Sequence, residues 1–145
     1  MDKNEIKNIL PHREPMLLLD DVVLQDGISI GSYTIRGDEF FLQGHFPGNP
    51  VVPGVILCEM MAQSSCLLVS TDNMQPGEEY TPYFTGLNKV RFKNKVLPGD
   101  TVKFYCSLIS KKEPFYFIKG EGFVNETLCV SGELSFAVIN SASST

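Results

Sequence analysis

Two histidines and one glutamate carry most of the chemistry available to this chain. His12 and His45 are its only histidines. His45 lies in GHFPGNPVVPG (44–54), which holds three glycines and three prolines in eleven residues. Such a stretch is neither regular helix nor strand, and its prolines make it stiff. An imidazole on an inflexible loop is a candidate general base. The plainer alternative is a histidine that only tethers the loop by hydrogen bonds.

The loop runs directly into VILCEMMAQSSCLLVS (55–70), which has no internal glycine or proline and reads as a helix. Apolar residues occupy nearly every face, so this helix should be buried on most sides. Glu59 in its middle is therefore unusual, because burying an unpaired charge is costly. It either points to solvent at the helix surface, or it has a partner or is neutral. Burial would raise its pKa, against the positive end of the helix near Gly54. A carboxyl kept partly protonated near neutral pH suits a general acid. Gln63, four residues on, shares its face, and Cys66 and Ser70 continue the stripe.

The first helical turn supplies a third element. The backbone amides around Gly54 and Val55 lack intrahelical partners and can hold a carbonyl oxygen as negative charge develops on it. Gly54 leaves room for close approach. A base, an acid and an oxyanion site together suit proton removal beside a carbonyl with loss of a β-hydroxyl, although spacing alone does not establish that reaction. No G-x-S-x-G and no G-x-x-x-x-G-K is present. Cys58 is a poor nucleophile candidate, because helix neighbours point about 100° apart and it cannot share a face with Glu59. Cys58, Cys66, Cys106 and Cys129 have neither C-x-x-C nor zinc-finger spacing and read as buried, reduced small hydrophobes.

Lys89, Arg91, Lys93 and Lys95 alternate with other residues, which on a strand puts four positive charges on one face. That face is either simply solvated or a dock for an anionic partner. No aromatic residue interleaves on it for stacking a base.

The elements that must position these groups follow from punctuation. Residues 4–10 suggest a short helix ended by Pro11, and PHREP (11–15) an extended loop. Met16–Leu24 and Ile28–Arg36 read as strands joined at Asp26-Gly27. Residues 71–80 form a polar loop. Four strands follow, at about 82–97, 101–111, 115–124 and 127–139, with short breaks that favour antiparallel neighbours. The simplest packing is α+β, an antiparallel sheet wrapped around the single helix.

The chain of 145 residues fits one domain spanning 1–145. It is 43% hydrophobic and 20% charged, as a globular protein should be. A net charge of −5 argues against a dedicated nucleic-acid binder. No apolar run approaches the roughly 18 residues of a membrane span. The opening MDKNEIKN is polar and unlike a signal peptide, so a cytoplasmic location is expected.

FFLQGHFPGNPVVPGVILCEMMAQ (40–63) closely resembles the signature of the 3-hydroxyacyl-acyl-carrier-protein dehydratases of dissociated bacterial-type fatty acid synthesis. PHREPMLLLDDV (11–22) and FTGLNKVRFKNKVLPGD (84–100) resemble that family's flanking motifs, in the same order. The resemblance implies a hot dog fold, a six-stranded antiparallel sheet around one long central helix. It implies a 3-hydroxyacyl chain on the phosphopantetheine arm of acyl carrier protein as substrate, the trans-2-enoyl thioester and water as products, and no metal or redox cofactor. His45 and Glu59 match the family's histidine and helix acid. Gly54 matches the glycine whose amide polarises the thioester carbonyl. Phe46 and Gln63 match family positions without an assigned role. The family also implies a homodimer, commonly a trimer of dimers, with the histidine of one subunit facing the acid of the other. Carrier proteins of this pathway are acidic, which gives the basic stripe a partner. The alternatives are a non-catalytic acyl-thioester-binding module or an acyl thioesterase on the same fold, and a double-bond-isomerising sister enzyme, which has aspartate where this chain has Glu59.

Overall fold

The computed structural model describes residues 1–69 and 80–140. In chain order these form α1 (Lys3–Ile6), β1 (Asp21–Gln25), β2 (Ile28–Thr34), a 3-10 turn at Phe40–Leu42, α2 (Gly54–Ser64), a 3-10 turn at Cys66–Leu68, β3 (Tyr80–Phe92), β4 (Thr101–Lys112), β5 (Phe115–Val124) and β6 (Thr127–Asn140). All six strands join one antiparallel sheet in the order β1-β2-β4-β5-β6-β3. α2 packs across β2, β4, β5 and β6. This is the sheet-around-helix architecture that the resemblance implied.

The turns are built by the residues that punctuate the sequence. Asp26 and Gly27 both take positive φ, 52° and 78°, which matches the twist of the β1–β2 hairpin. Asn125, at φ 54°, turns β5 into β6. Gly31 on β2 lies where the end of α2 packs tightly on the sheet. A Cβ there would lie 2.6 Å from Ser64 Cβ and 2.7 Å from Leu19 Cδ1, so only hydrogen fits.

Four elements differ from the sequence reading, the first being the short helix expected over 4–10, which spans Lys3–Ile6. Met16–Asp20 is not strand. The Leu18 amide donates to Gln63 Oε1 at 2.8 Å and Met16 O accepts from Gln63 Nε2, while the Met16 and Leu17 amides bond Arg13 O, so helix and loop satisfy this backbone until the Asp20 amide reaches Ser32 O of the sheet. Leu17 and Leu19 enter one buried cluster with Ile6 and Cys66, while Leu18 enters the main core with Met60, Met61 and Phe104. The central helix stops at Ser64 rather than continuing to 70. The Ser64 hydroxyl donates to Met60 O at 2.8 Å and the Ser65 hydroxyl to Ala62 O at 2.6 Å, which competes with further helical bonding. Cys66 therefore lies in the tighter turn beyond, and Ser70 and the 71–79 loop lie outside the described residues. β3 ends at Phe92 instead of 97. No helix among the described residues is long and apolar enough to cross a membrane.

Candidate active site

Glu59 occupies the half-buried side of α2, and its carboxyl is neither neutral nor solvated on all sides. Gln63, one turn further on, donates from Nε2 to Glu59 Oε1 at 3.0 Å, as their shared face predicts. The Gln63 amide is held in one orientation, because its oxygen accepts from the Leu18 amide and its nitrogen also donates to Met16 O at 2.8 Å. From the other side, His12 Nε2 lies 3.2 Å from the same Oε1. Burial pushes the Glu59 carboxyl up, but the His12 and Gln63 hydrogen bonds and the charge of His12 outweigh it and hold the group below the ordinary carboxylate value. The expectation of a carboxyl raised toward neutrality is corrected here. Two donors on one oxygen more than offset desolvation.

Glu59, His12 and Gln63 together line a largely apolar cavity of about 540 Å³. Its other walls include Leu10, Pro11 and Ala62 on one side and Pro82, Phe84, Phe136 and Val138 of β3 and β6 on the other. The volume is in the range that holds a small organic ligand. Lys7 and Arg13 also belong to its lining.

His45 is half-buried in the glycine-proline loop and is not among the residues lining this cavity. It is fixed by a reciprocal pair of bonds. Its Nδ1 lies 2.9 Å from Val51 O, and the Val51 amide donates to His45 O at 2.8 Å. A carbonyl only accepts, so Nδ1 carries a proton, which makes Nε2 the lone-pair nitrogen of the neutral ring. The ring stacks on Phe46 with centroids 4.1 Å apart. Within one chain His45 meets Val51 and Phe46, Glu59 meets His12 and Gln63, and no hydrogen bond or ion pair links the two groups.

Gly54 opens α2 after Pro53, and the first intrahelical bonds are made by Ile56 and Leu57 to Pro53 O. The amides of Gly54 and Val55 precede that ladder. Gly54 lies against the Phe92 ring, where a Cβ would come within 2.8 Å, and the Val55 side chain is 71% exposed.

The basic stripe is not the regular strand face expected. The β3–β6 register shifts between Asn88 and Arg91, with Lys89 at φ 54°, so a bulge breaks the alternation. Lys93 and Lys95 lie beyond the strand, where the Lys93 amide bonds Cys129 O. All four side chains are exposed, and Lys93 and Lys95 border a shallow depression with Phe92, Asn125 and Thr127.

Sequence reasoning missed His12 as a neighbour of Glu59, because 47 positions separate them and no periodicity links a loop to a helix. The available signal was a histidine between two prolines, a segment too stiff to be filler. The Gln63 contact was legible as an i, i+4 pair.

Comparison with known proteins adds independent findings. Residues 10–133 match a family model described as the FabA-like domain. The chain is 40% identical over 139 residues to the 3-hydroxyacyl-[acyl-carrier-protein] dehydratase FabZ of Clostridium perfringens, covering 95% of this chain and 99% of that protein. It is 38% identical over 139 residues to the enzyme of the same name from Legionella pneumophila, covering 92% and 91%. Among solved structures, the dehydratase heterocomplex ApeI:P of Xenorhabdus doucetiae superimposes with a TM-score of 0.80 at 23% identity, over 94% of this chain and 92% of that one. A point mutant of the fluoroacetyl-CoA-specific thioesterase FlK gives 0.64 at 16% identity, over 83% and 90%. At those identities the two structures speak for the fold alone.

Proposed function

The chain belongs to the FabA-like family, and on that premise we propose that it removes water from 3-hydroxyacyl thioesters on acyl carrier protein, with His45 as base and Glu59 as proton donor. Fatty acid synthesis is the setting in which that reaction serves. The observation that carries the assignment is a carboxyl, held by His12 and Gln63, set in the wall of a largely apolar cavity. Such a cavity suits an acyl chain, and Glu59 is its acidic group.

In this reading His45 Nε2, free because Nδ1–H is committed to Val51 O, takes the proton from C2. The electron pair of that C–H bond becomes the second C2–C3 bond, and the C3–O bond breaks. Glu59 gives its proton to the departing hydroxyl, which leaves as water. The Gly54 and Val55 amides polarise the thioester carbonyl while charge develops. The resting Glu59 carboxyl is ionised and must first take up a proton. An acyl chain entering the cavity displaces water and strengthens the burial that already pushes this group up. The proton left on His45 returns to solvent after product release.

The two groups are brought together by a second copy of the chain. β3 is a sheet edge, and Tyr83, Phe84 and Leu87 on it are about half exposed. An apolar unpaired edge of this length favours pairing with another strand. A homodimer across β3, assembled further into a trimer of dimers, gives His45 of one subunit access to Glu59 of the other. Lys93 and Lys95, with Lys89 and Arg91 nearby, form the dock for the acidic carrier. Lys93→Glu with Lys95→Glu should weaken apparent carrier affinity at low salt, and unchanged affinity removes the docking assignment.

The decisive measurement is ultraviolet detection of enoyl thioester formation with short and long 3-hydroxyacyl carriers. His45→Ala and Glu59→Gln should each slow turnover on the order of 10²–10⁴-fold while remaining folded. Wild-type turnover in either variant refutes its assigned role. Free thiol release without enoyl product would identify a thioesterase instead.

A further inference from the structure

The contact between His12 and Glu59 plays no part in the reaction scheme above, yet the fold maintains it at a cost. His12 Nδ1 is a buried polar atom without a hydrogen-bond partner among the described residues. Leaving such an atom unpaired is unfavourable, so it calls for a compensating gain. The gain lies at the other ring nitrogen, which reaches Glu59 Oε1.

The loop carrying His12 is built to hold this position. Arg13 donates from Nη1 to Leu10 O at 3.0 Å and to His12 O at 2.7 Å, and from Nη2 to Lys7 O at 3.2 Å. The guanidinium is thereby spent on the loop's own carbonyls. Lys7, the other cation lining the cavity, pairs with Glu14 at 3.2 Å. Around the Glu59 carboxyl, Cys58 on α2 is a buried thiol, and His12 and Gln63 are the groups that donate to it. Both donors meet on Oε1. Oε2 has no partner among the described residues.

We propose that His12 is a positioning residue for the dehydration: with Gln63 it pins Oε1 of Glu59 and leaves Oε2 to handle the 3-hydroxyl of the substrate. This rests on Glu59 as proton donor. A carboxyl gripped by one oxygen cannot rotate freely about its terminal bond, so the second oxygen is held in one orientation.

The test compares full-length His12→Phe, His12→Gln and Glu59→Gln in the enoyl thioester assay, with melting curves for each. His12→Phe should lower kcat on the order of 10–100-fold, the scale of a small misplacement of a reacting group. KM should change by less than about threefold, because the acyl pocket is intact. His12→Gln places an amide N–H near the position of Nε2 and should recover most of kcat. In carbon-13 spectra, the Glu59 carboxyl should titrate at higher pH in His12→Phe than in the wild type, and lie between them in His12→Gln. Wild-type kcat in His12→Phe beside an inactive Glu59→Gln overturns this inference alone. Equal loss in both His12 variants, with matching drops in melting temperature and no change in the Glu59 titration, also overturns it. Full activity in Glu59→Gln removes the donor assignment and this inference with it.

Discussion

At Glu59 and at the four cysteines, burial acts on the same principle with opposite results. Glu59 has donors that favour its charged form, so its carboxyl ends below its ordinary value. The cysteines have too few. Burial pushes all four thiols up, Cys66 to about 12 and Cys106 further still. A thiol that stays protonated and covered does not react. Ellman's reagent at pH 8 should therefore detect none of the four in native protein and all four in guanidinium; fast native labelling would contradict their burial. The sequence made the cysteines legible as small hydrophobes, but it did not reveal the net direction at Glu59. That direction depends on a loop histidine that only the fold delivers.

Two elements depend on contacts that a single substitution can break. The first is the crossing of α2 over β2 at Gly31. Gly31→Ala drives a methyl into Ser64 and Leu19, and should destabilise by about 1–3 kcal/mol. That corresponds to a melting decrease of about 2–4 °C per kcal/mol in a domain of this size. An unchanged melting temperature would mean that helix and sheet separate more easily than their packing suggests. The second is the turn leading into the glycine-proline loop. Glu39 accepts from the amides of Arg36 and Gly37 at 2.9 and 2.8 Å and from the Tyr33 hydroxyl at 2.8 Å. Burial raises its carboxyl, but these three bonds bring it below the ordinary value. With the folded value below the unfolded one, this stability is complete above the ordinary carboxylate value. It is lost as pH falls through the folded value. Glu39→Gln should narrow the difference in stability between pH 7 and pH 3, measured by denaturant titration. The strands of the second half were legible to within a residue or two, apart from the far end of β3, because turn residues bound them. The strand expected at Met16–Leu24 shrank to Asp21–Gln25. Three consecutive leucines there serve two separate cores, a division no alternation pattern encodes.

For the molecule as a whole, one chain leaves the proposed chemistry incomplete. His45 sits in the glycine-proline loop that leads into α2 and Glu59 in the wall of the cavity, and no hydrogen bond or ion pair joins them. If sites are shared across a two-fold axis, mixing inactive His45→Ala and Glu59→Gln subunits should rebuild one complete site per mixed dimer. Random exchange then restores about one quarter of wild-type activity, since half the dimers are mixed and each has one good site of two. No recovery after verified exchange would mean that each chain builds its own site. Leu87→Glu on the β3 edge should shift the protein toward monomer in light scattering and lower activity together with it.

By itself, the sequence determined the order of the strands along the chain, the stiffness of the loop bearing His45, and the pairing of Glu59 with Gln63 on one helical face. These are local matters, set by turn residues, ring-locked dihedrals and the 3.6-residue period. Tertiary structure decided which strands became neighbours, where α2 stopped, and that a histidine 47 positions upstream would grip the carboxylate. Those outcomes depend on the full three-dimensional competition for hydrogen bonds and buried volume, which no window of residues contains.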